Sequence, residues 1–396
     1  MLSADRRTAD QPAGNTGIRR GEFPLLRSKT YLDSCSMGSM SELSYSAMRS
    51  YADQCDRFGA ASWFIPGGFL DMLDTMRGNV AELIGAHKHE VGLAPNVSVA
   101  LGSLTSALLG PGDRVITTEL DFPTLVLGLR ARQRTGVEVD VLAAADRHSV
   151  PLTTIRQALE RPAKLLATSR VLYGSGVVQD VRQLVSLARQ RGVFTLIDDY
   201  QATGQVPVDV HELGIDVLVG GSMKWLCGGT ACAFYYVRED LIECLEPTIA
   251  GWFGVEDQLE FNTGDLRWRA DARRFELGTP SLISVGLANA GLQMIKSIGM
   301  TAIREQNIAL VSHLVTRMTQ AGHRPRVYTP ASQHSSLVMI DIDTRPDLDK
   351  LVSQLLVEHG IIVDARNGAL RVSPHFYNNT TDLDRLEQAI AASISG

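Results

Sequence analysis

The stretch from Leu196 to Val237 constrains this chain most, because three apolar runs there each adjoin a chemically loaded turn. The first run, ending Leu196-Ile197, leads into Asp198-Asp199-Tyr200-Gln201. The second, Ile215 to Val219, leads into Gly220-Gly221-Ser222-Met223-Lys224, and the third, Ala231 to Val237, follows the pair Gly228-Gly229. Short apolar runs bounded by glycine read as buried strands. A carboxylate therefore ends one strand and a lysine ends the next, on the sheet edge where open α/β sheets bind ligands. The two could form a buried ion pair, or they could flank a bound group that needs an acid on one side and an amine on the other.

A chain of 396 residues has room for two or three domains with ample core. Its 44% hydrophobic and 21% charged residues are those of an ordinary soluble protein. The net charge of −6, without a long basic block, argues against nucleic acid as a partner. Cys35, Cys55, Cys227, Cys232 and Cys244 form no C-x-x-C pair and fit reduced thiols, so a cytoplasmic location is expected. No run has the length of a membrane span or the apolar core of a signal peptide. The nine histidines show no metal spacing, and His87 and His89 read as a solvated pair on a polar turn, so no metal is expected.

Met1 to Arg27 is polar and reads as a mobile or loosely docked arm. Thr30 to Gly38 is a short strand running into a small-residue turn, and Phe69 to Ile84 carries a helical apolar stripe. Asn96 and Ser98 suit the start of a helix, where free amides and the helix dipole attract anions. Strands are expected at 114–118, 137–143 and 163–173, with an amphipathic helix from Asp180 to Arg191 between two of the parallel strands. From about Ser284 the pattern becomes two long helices, a strand at 336–342, a helix at 346–358, short strands at 361–363 and 370–372, and a last helix. The expected organisation is an arm (1–27), a large cofactor-binding domain (28–283) and a small C-terminal α/β domain (284–396).

Pyridoxal phosphate needs the acid and the lysine together: the amine forms a Schiff base and the acid keeps the pyridine nitrogen protonated. The spacing Asp198, Gln201, Ser222, Lys224, with glycines around it, resembles that of the class V aminotransferase family of pyridoxal-phosphate enzymes. That group includes kynureninases, cysteine desulfurases, isopenicillin N epimerase-like proteins and C–S lyases. The resemblance runs from Tyr31 onward and implies a fold type I α/β architecture, with a mostly parallel central sheet flanked by helices.

The same resemblance implies roles for individual residues. Lys224 and Asp198 are the catalytic pair, and Gln201 bonds the ring oxygen. Val97, Ser98 and Ser222 hold the phosphate. Phe122, in Phe-Pro context, stacks on the ring, with Thr124 nearby. Ser169 lies at the cofactor, next to Arg170 where the family has histidine. Arg371, ahead of Phe376-Tyr377-Asn378, forks onto the substrate carboxylate. Ser36 lies near that carboxylate, and Trp252 sits at the mouth. Thr279, after Gly278, reaches the neighbouring subunit's cofactor, which implies a homodimer.

Departures from the family narrow the reaction. Val363 to Gly368 lacks the mobile cysteine of a desulfurase, and Met223 stands where many desulfurases have histidine. Met223 and Gln201 also depart from the kynureninase pattern. The expectation is a lyase acting at Cβ–S or Cβ–Cγ of an amino acid or cysteine S-conjugate. An aminotransferase or epimerase is the alternative, and a scaffold that has lost catalysis is the remaining one.

Overall fold

The computed structural model describes residues 16–144, 146, 148–261, 263–327, 334–344 and 346–395. In chain order its strands are β1 (Thr30–Tyr31), β2 (Val91–Ala94), β3 (Arg114–Thr118), β4 (Glu138–Leu142), β5 (Leu165–Ser169), β6 (Phe194–Asp198), β7 (Val217–Gly221) and β8 (Ala233–Val237). They are followed by β9 (Arg324–Arg326), β10 (Val338–Asp341), β11 (Ile361–Ile362), β12 (Asp364–Arg366) and β13 (Ala369–Val372). The helices before the lysine are α1 (Glu42–Phe58), α2 (Phe69–Ile84), α3 (Val97–Leu108), α4 (Pro123–Ala131), α5 (Leu152–Ala158), α6 (Val181–Arg189) and α7 (Val210–Leu213). Those after it are α8 (Glu239–Ile242), α9 (Leu282–Ile298), α10 (Met300–Gln320), α11 (Leu348–Val357) and α12 (Thr380–Ser395).

The large sheet has seven strands in the order β2-β8-β7-β6-β5-β3-β4. Strands β7, β6, β5, β3 and β4 run parallel, and β8 is antiparallel to both β7 and β2. Every residue of β3, β5, β7 and β8 is buried, as expected of strands covered by helices on both faces. A four-stranded antiparallel sheet, β12-β13-β10-β9, forms the smaller unit with α10, α11 and α12. Together these are the fold type I architecture. Among the described residues no helix is long and apolar enough to cross a membrane.

Packing moves the expected boundaries. Val285, Ala288, Leu292 and Ile295 of α9 sit in one apolar cluster with Leu73 and Met76 of α2, so α9 belongs with the large unit rather than after a break at residue 283. At the other end, β1 pairs in parallel with β11, and Leu32 packs with Leu310 and Val338 of the smaller unit, so the chain enters the large unit only after this strand. The expectation of a loose arm is corrected for residues 16–27. Phe23 is fully buried between Phe376 and Tyr377, and Arg20 is paired with Asp382. Residues 1–15 of that arm lie outside the described residues.

Candidate active site

Four chain segments meet at the carboxyl edge of the large sheet. Lys224 follows β7 by three residues and is only 6% exposed. The loop after β1 lies directly against it, with the Gly38 amide donating to the Met223 carbonyl at 2.8 Å. A Cβ on Gly38 would stand 2.0 Å from the Lys224 carbonyl oxygen, so only glycine lets the loop dock this closely. The lysine ammonium sits 4.7 Å from the Tyr200 ring centre and 5.4 Å from that of Phe122. Burial pulls the Lys224 amine down to about 8, against the opposing pull of Cys35 and Asp198.

Asp198 closes β6 and accepts the Tyr200 amide at 2.9 Å. Burial pushes its carboxyl up to about 6, while that amide and Lys224 act in the opposite sense. Asp198 and Lys224 thus feel each other's charge, yet among the described residues neither closes a salt bridge. A simple buried ion pair is therefore not what the two residues form. Gln201 donates to the Cys35 carbonyl at 3.0 Å and accepts the Trp225 indole at 2.9 Å, leaving one amide hydrogen uncommitted.

At the opposite end of the site two helix starts converge. Asn96 caps α3 by accepting the Val99 amide at 3.0 Å, placing Val97 and Ser98 in its first turn. The Ser98 hydroxyl meets that of Thr124, in the first turn of α4, at 3.2 Å. Free amides and two hydroxyls here suit an anion. Ser169 ends β5 with its amide donating 2.6 Å to the buried carboxylate of Asp121.

The substrate side is built around Arg371 of β13. Its Nη2 donates to the Ser36 hydroxyl at 2.7 Å and pairs with Asp364, while its buried Nε has no partner. Asp33 lies beside it, its carboxyl held above the usual range by burial, with Ser36 and Arg371 opposing.

Some expected residues stand elsewhere. The Ser222 hydroxyl is fully buried and directed at the Gly229 and Cys232 carbonyls at 2.9 and 3.0 Å. Its role as a phosphate donor is corrected, because its only proton is taken by the turn. Trp252 packs its ring against Phe253 and Phe261 at 4.5 and 5.8 Å. Thr279 is exposed on this chain's surface, before α9. His375 is structural, lying 2.9 Å from the Trp225 carbonyl and 3.2 Å from Asn307.

Sequence reasoning passed over Tyr200, Asp33 and Asp121. Tyr200 had a usable signal, since it stands two residues from the carboxylate and faces Gly221, where a Cβ would meet the ring at 2.2 Å. Arg170, read only as a replacement for histidine, forms a buried two-point pair with Asp199. The pair stiffens the turn that carries Asp198 and Gln201.

A buried lysine and acid at neighbouring strand ends, with two helix starts that suit an anion and a buried arginine, are the features that an aldehyde cofactor held by a lysine requires. The profile of the family described as aminotransferase class-V matches residues 67–386, and the chain belongs to that family. It is 30% identical over 371 residues to an uncharacterised aminotransferase, YcbU, of Bacillus subtilis (strain 168), covering 93% of this chain and 96% of that protein. It is 27% identical over 358 residues to a kynureninase of Deinococcus radiodurans, covering 88% of this chain and 85% of that one. An apo cysteine desulfurase of Thermococcus onnurineus NA1 shares the fold, with a TM-score of 0.83 at 21% identity over 96% of this chain and all of the other. The cofactor is pyridoxal 5'-phosphate. The residues present fit it: a buried amine free of ion pairs, a buried acid, an aromatic ring and two helix starts that suit an anion.

Proposed function

We propose that this pyridoxal-phosphate enzyme is a lyase that cleaves Cβ–S of a cysteine S-conjugate or, less readily, Cβ–Cγ of an amino acid. One observation carries the reading: Lys224 and Asp33, close enough to feel each other's charge, are tuned in opposite directions. Burial lowers the lysine and raises the acid, so both move toward neutral pH, where a base and an acid exchange protons most readily. Elimination needs both, whereas amine transfer needs only the lysine as a shuttle.

When bound, pyridoxal phosphate supplies an electron sink for charge developing at Cα. Lys224, Asp198, Gln201, Ser169, Phe122, Val97, Ser98 and Thr124 would hold it. Arg371 grips the substrate carboxylate through its fork, and the carboxylate displaces Asp364. The neutral amine of Lys224 removes the Cα proton. Asp33, whose proton affinity burial raises, is the acid that gives a proton to the departing sulfur. A persulfide route finds no support. The 363–368 segment has no cysteine, and burial pushes the Cys35 thiol up to about 12, too high for a thiolate nucleophile.

Amine transfer is the second reading, favoured by the name of the Bacillus relative. The test is an assay of purified enzyme with cysteine S-conjugates, with and without a keto acid. Pyruvate, ammonia and thiol released in equal amounts without keto acid support the lyase. Turnover that requires keto acid overturns it.

The working unit in this reading is a homodimer in which Thr279 serves the neighbouring site. Exposed Met37, Leu43, Tyr45, Met48, Phe58 and Phe64 support it, since they run from the substrate loop along α1 to the turn beyond. Exposed apolar side chains gathered along one segment in this way suit an interface.

A further inference from the structure

We propose that His87, Glu90 and His211 form a Zn2+ site at the edge of the large sheet opposite Lys224. His87 and Glu90 lie between α2 and β2, and His211 lies in α7. The location follows from the register. Val91, next to Glu90, pairs with Tyr236 near the end of β8, and Glu239 beyond it donates its amide to Glu90 at 3.2 Å. The antiparallel β8 ends where the parallel strands begin, so this corner faces away from the cofactor edge.

The three side chains bring ligand atoms that all lie within 4.8 Å of one another. Glu90 is 1% exposed and is aimed by the backbone: one oxygen accepts the His87 amide at 2.8 Å and the other the Glu239 amide. The oxygen that accepts the His87 amide also faces His211 Nε2 at 2.7 Å. The rings of His87 and His211 have centres 5.0 Å apart. Two imidazoles and one carboxylate form a donor set suited to Zn2+, with a fourth position left for water or a further side chain. His89, stacked on His87 with ring centres 5.6 Å apart, and Glu239, 3.2 Å from His89, stand next to that position. Arg238 also lines this corner, but its charge is met by Asp216 and Asp240. The expectation of no metal came from spacing alone, and His211 lies 121 residues from Glu90.

Bound Zn2+ would tie the start of β2 to α7 and stiffen this edge without touching the catalytic one. The experiment uses the full-chain holoenzyme, stripped of metal by dialysis and titrated with ZnCl2. One Zn2+ per chain is expected, with a melting temperature raised by a few degrees and unchanged turnover. His211→Gln, whose amide can still donate to Glu90, and His87→Gln are each expected to weaken Zn2+ binding roughly tenfold or more. The melting temperature of each variant without metal separates a lost ligand from a lost fold. Anomalous scattering from a Zn2+-soaked crystal should peak among the three side chains. A peak elsewhere, unchanged binding in both variants, or no binding by the parent chain below about 1 mM overturns the proposal.

Discussion

At the scale of single residues, the site works because two charges are kept where water would not leave them. Asp198 has a folded value of about 6 against an ordinary 3.8. A carboxyl raised in this way adds stability only below its ordinary value, and that stability is lost as pH rises through about 6. At neutral pH the cofactor-free chain therefore carries a penalty on the order of 3 kcal/mol at this residue. Asp198→Asn is expected to melt a few degrees higher than the parent at pH 8 and at nearly the same temperature at pH 4. Its turnover should drop by roughly 10²-fold or more, as when a preorganised electrostatic partner is removed. Thermal melts of the cofactor-free proteins at the two pH values check the first part, and equal melting at pH 8 would refute it. Asp198, Lys224 and Arg371 were legible in the sequence because each sits at or beside a strand end, where position alone dictates direction. Asp33 and Asp121 were not, because what tunes them is burial by segments far away in the chain.

At the scale of elements, the parallel strands were readable from their apolar runs, but the antiparallel sense of β8 was not. A buried apolar run reports burial but not direction, which the connection and the pairing partner set. Helix α1 escaped notice for the opposite reason. Its inward face carries Ser44, Ala47, Tyr51 and Cys55, too few large apolar side chains to read as a core stripe, although Tyr51 packs on Phe69. Strands β9 and β12 are short, polar edges of the small sheet, with nothing apolar to announce them. One buried contact joins three elements of the large unit. Arg77 of α2 forks onto Glu276 at 2.9 and 2.7 Å, and Glu276 also accepts the Leu93 amide of β2 at 3.0 Å. Glu276 stands three residues before Thr279, so the pair also anchors the segment that would reach the neighbouring subunit. Arg77→Met leaves the buried carboxylate with only Arg273, 3.9 Å away, and the Leu93 amide, and is expected to cost about 3–5 kcal/mol. The double change Arg77→Met with Glu276→Leu should recover part of that loss, because the buried carboxylate is gone and only the partly exposed Arg273 loses a distant partner. Denaturant midpoints of the three proteins measure both effects, and a single variant as stable as the parent would show that the pair contributes little.

At the scale of the whole molecule, the question is whether one chain can complete its own site. Arg371, Lys224, Asp198 and the paired helix starts all come from one protomer, but Thr279 lies exposed outside their cluster. The apolar side chains from Met37 to Phe64 adjoin the loop whose Ser36 holds Arg371, so a second copy seated there would lie at the rim of the site. A subunit-mixing experiment separates a neighbour's contribution from a local one. Thr279→Ala alone is expected to lose roughly tenfold in activity if it gives up one charge-assisted hydrogen bond to the phosphate. Lys224→Ala alone should be inactive. In a dimer that pairs the two variants, one site lacks the lysine, while the other has its own lysine and an intact Thr279 from the partner. Mixing two impaired proteins should then raise activity toward half of the parent value per dimer. If Thr279 acts within its own chain, the only lysine-bearing site still lacks it, and mixing gives no gain over Thr279→Ala. Sedimentation of the purified enzyme at the assay concentration completes the test, since a monomer with full activity would rule out a shared site altogether.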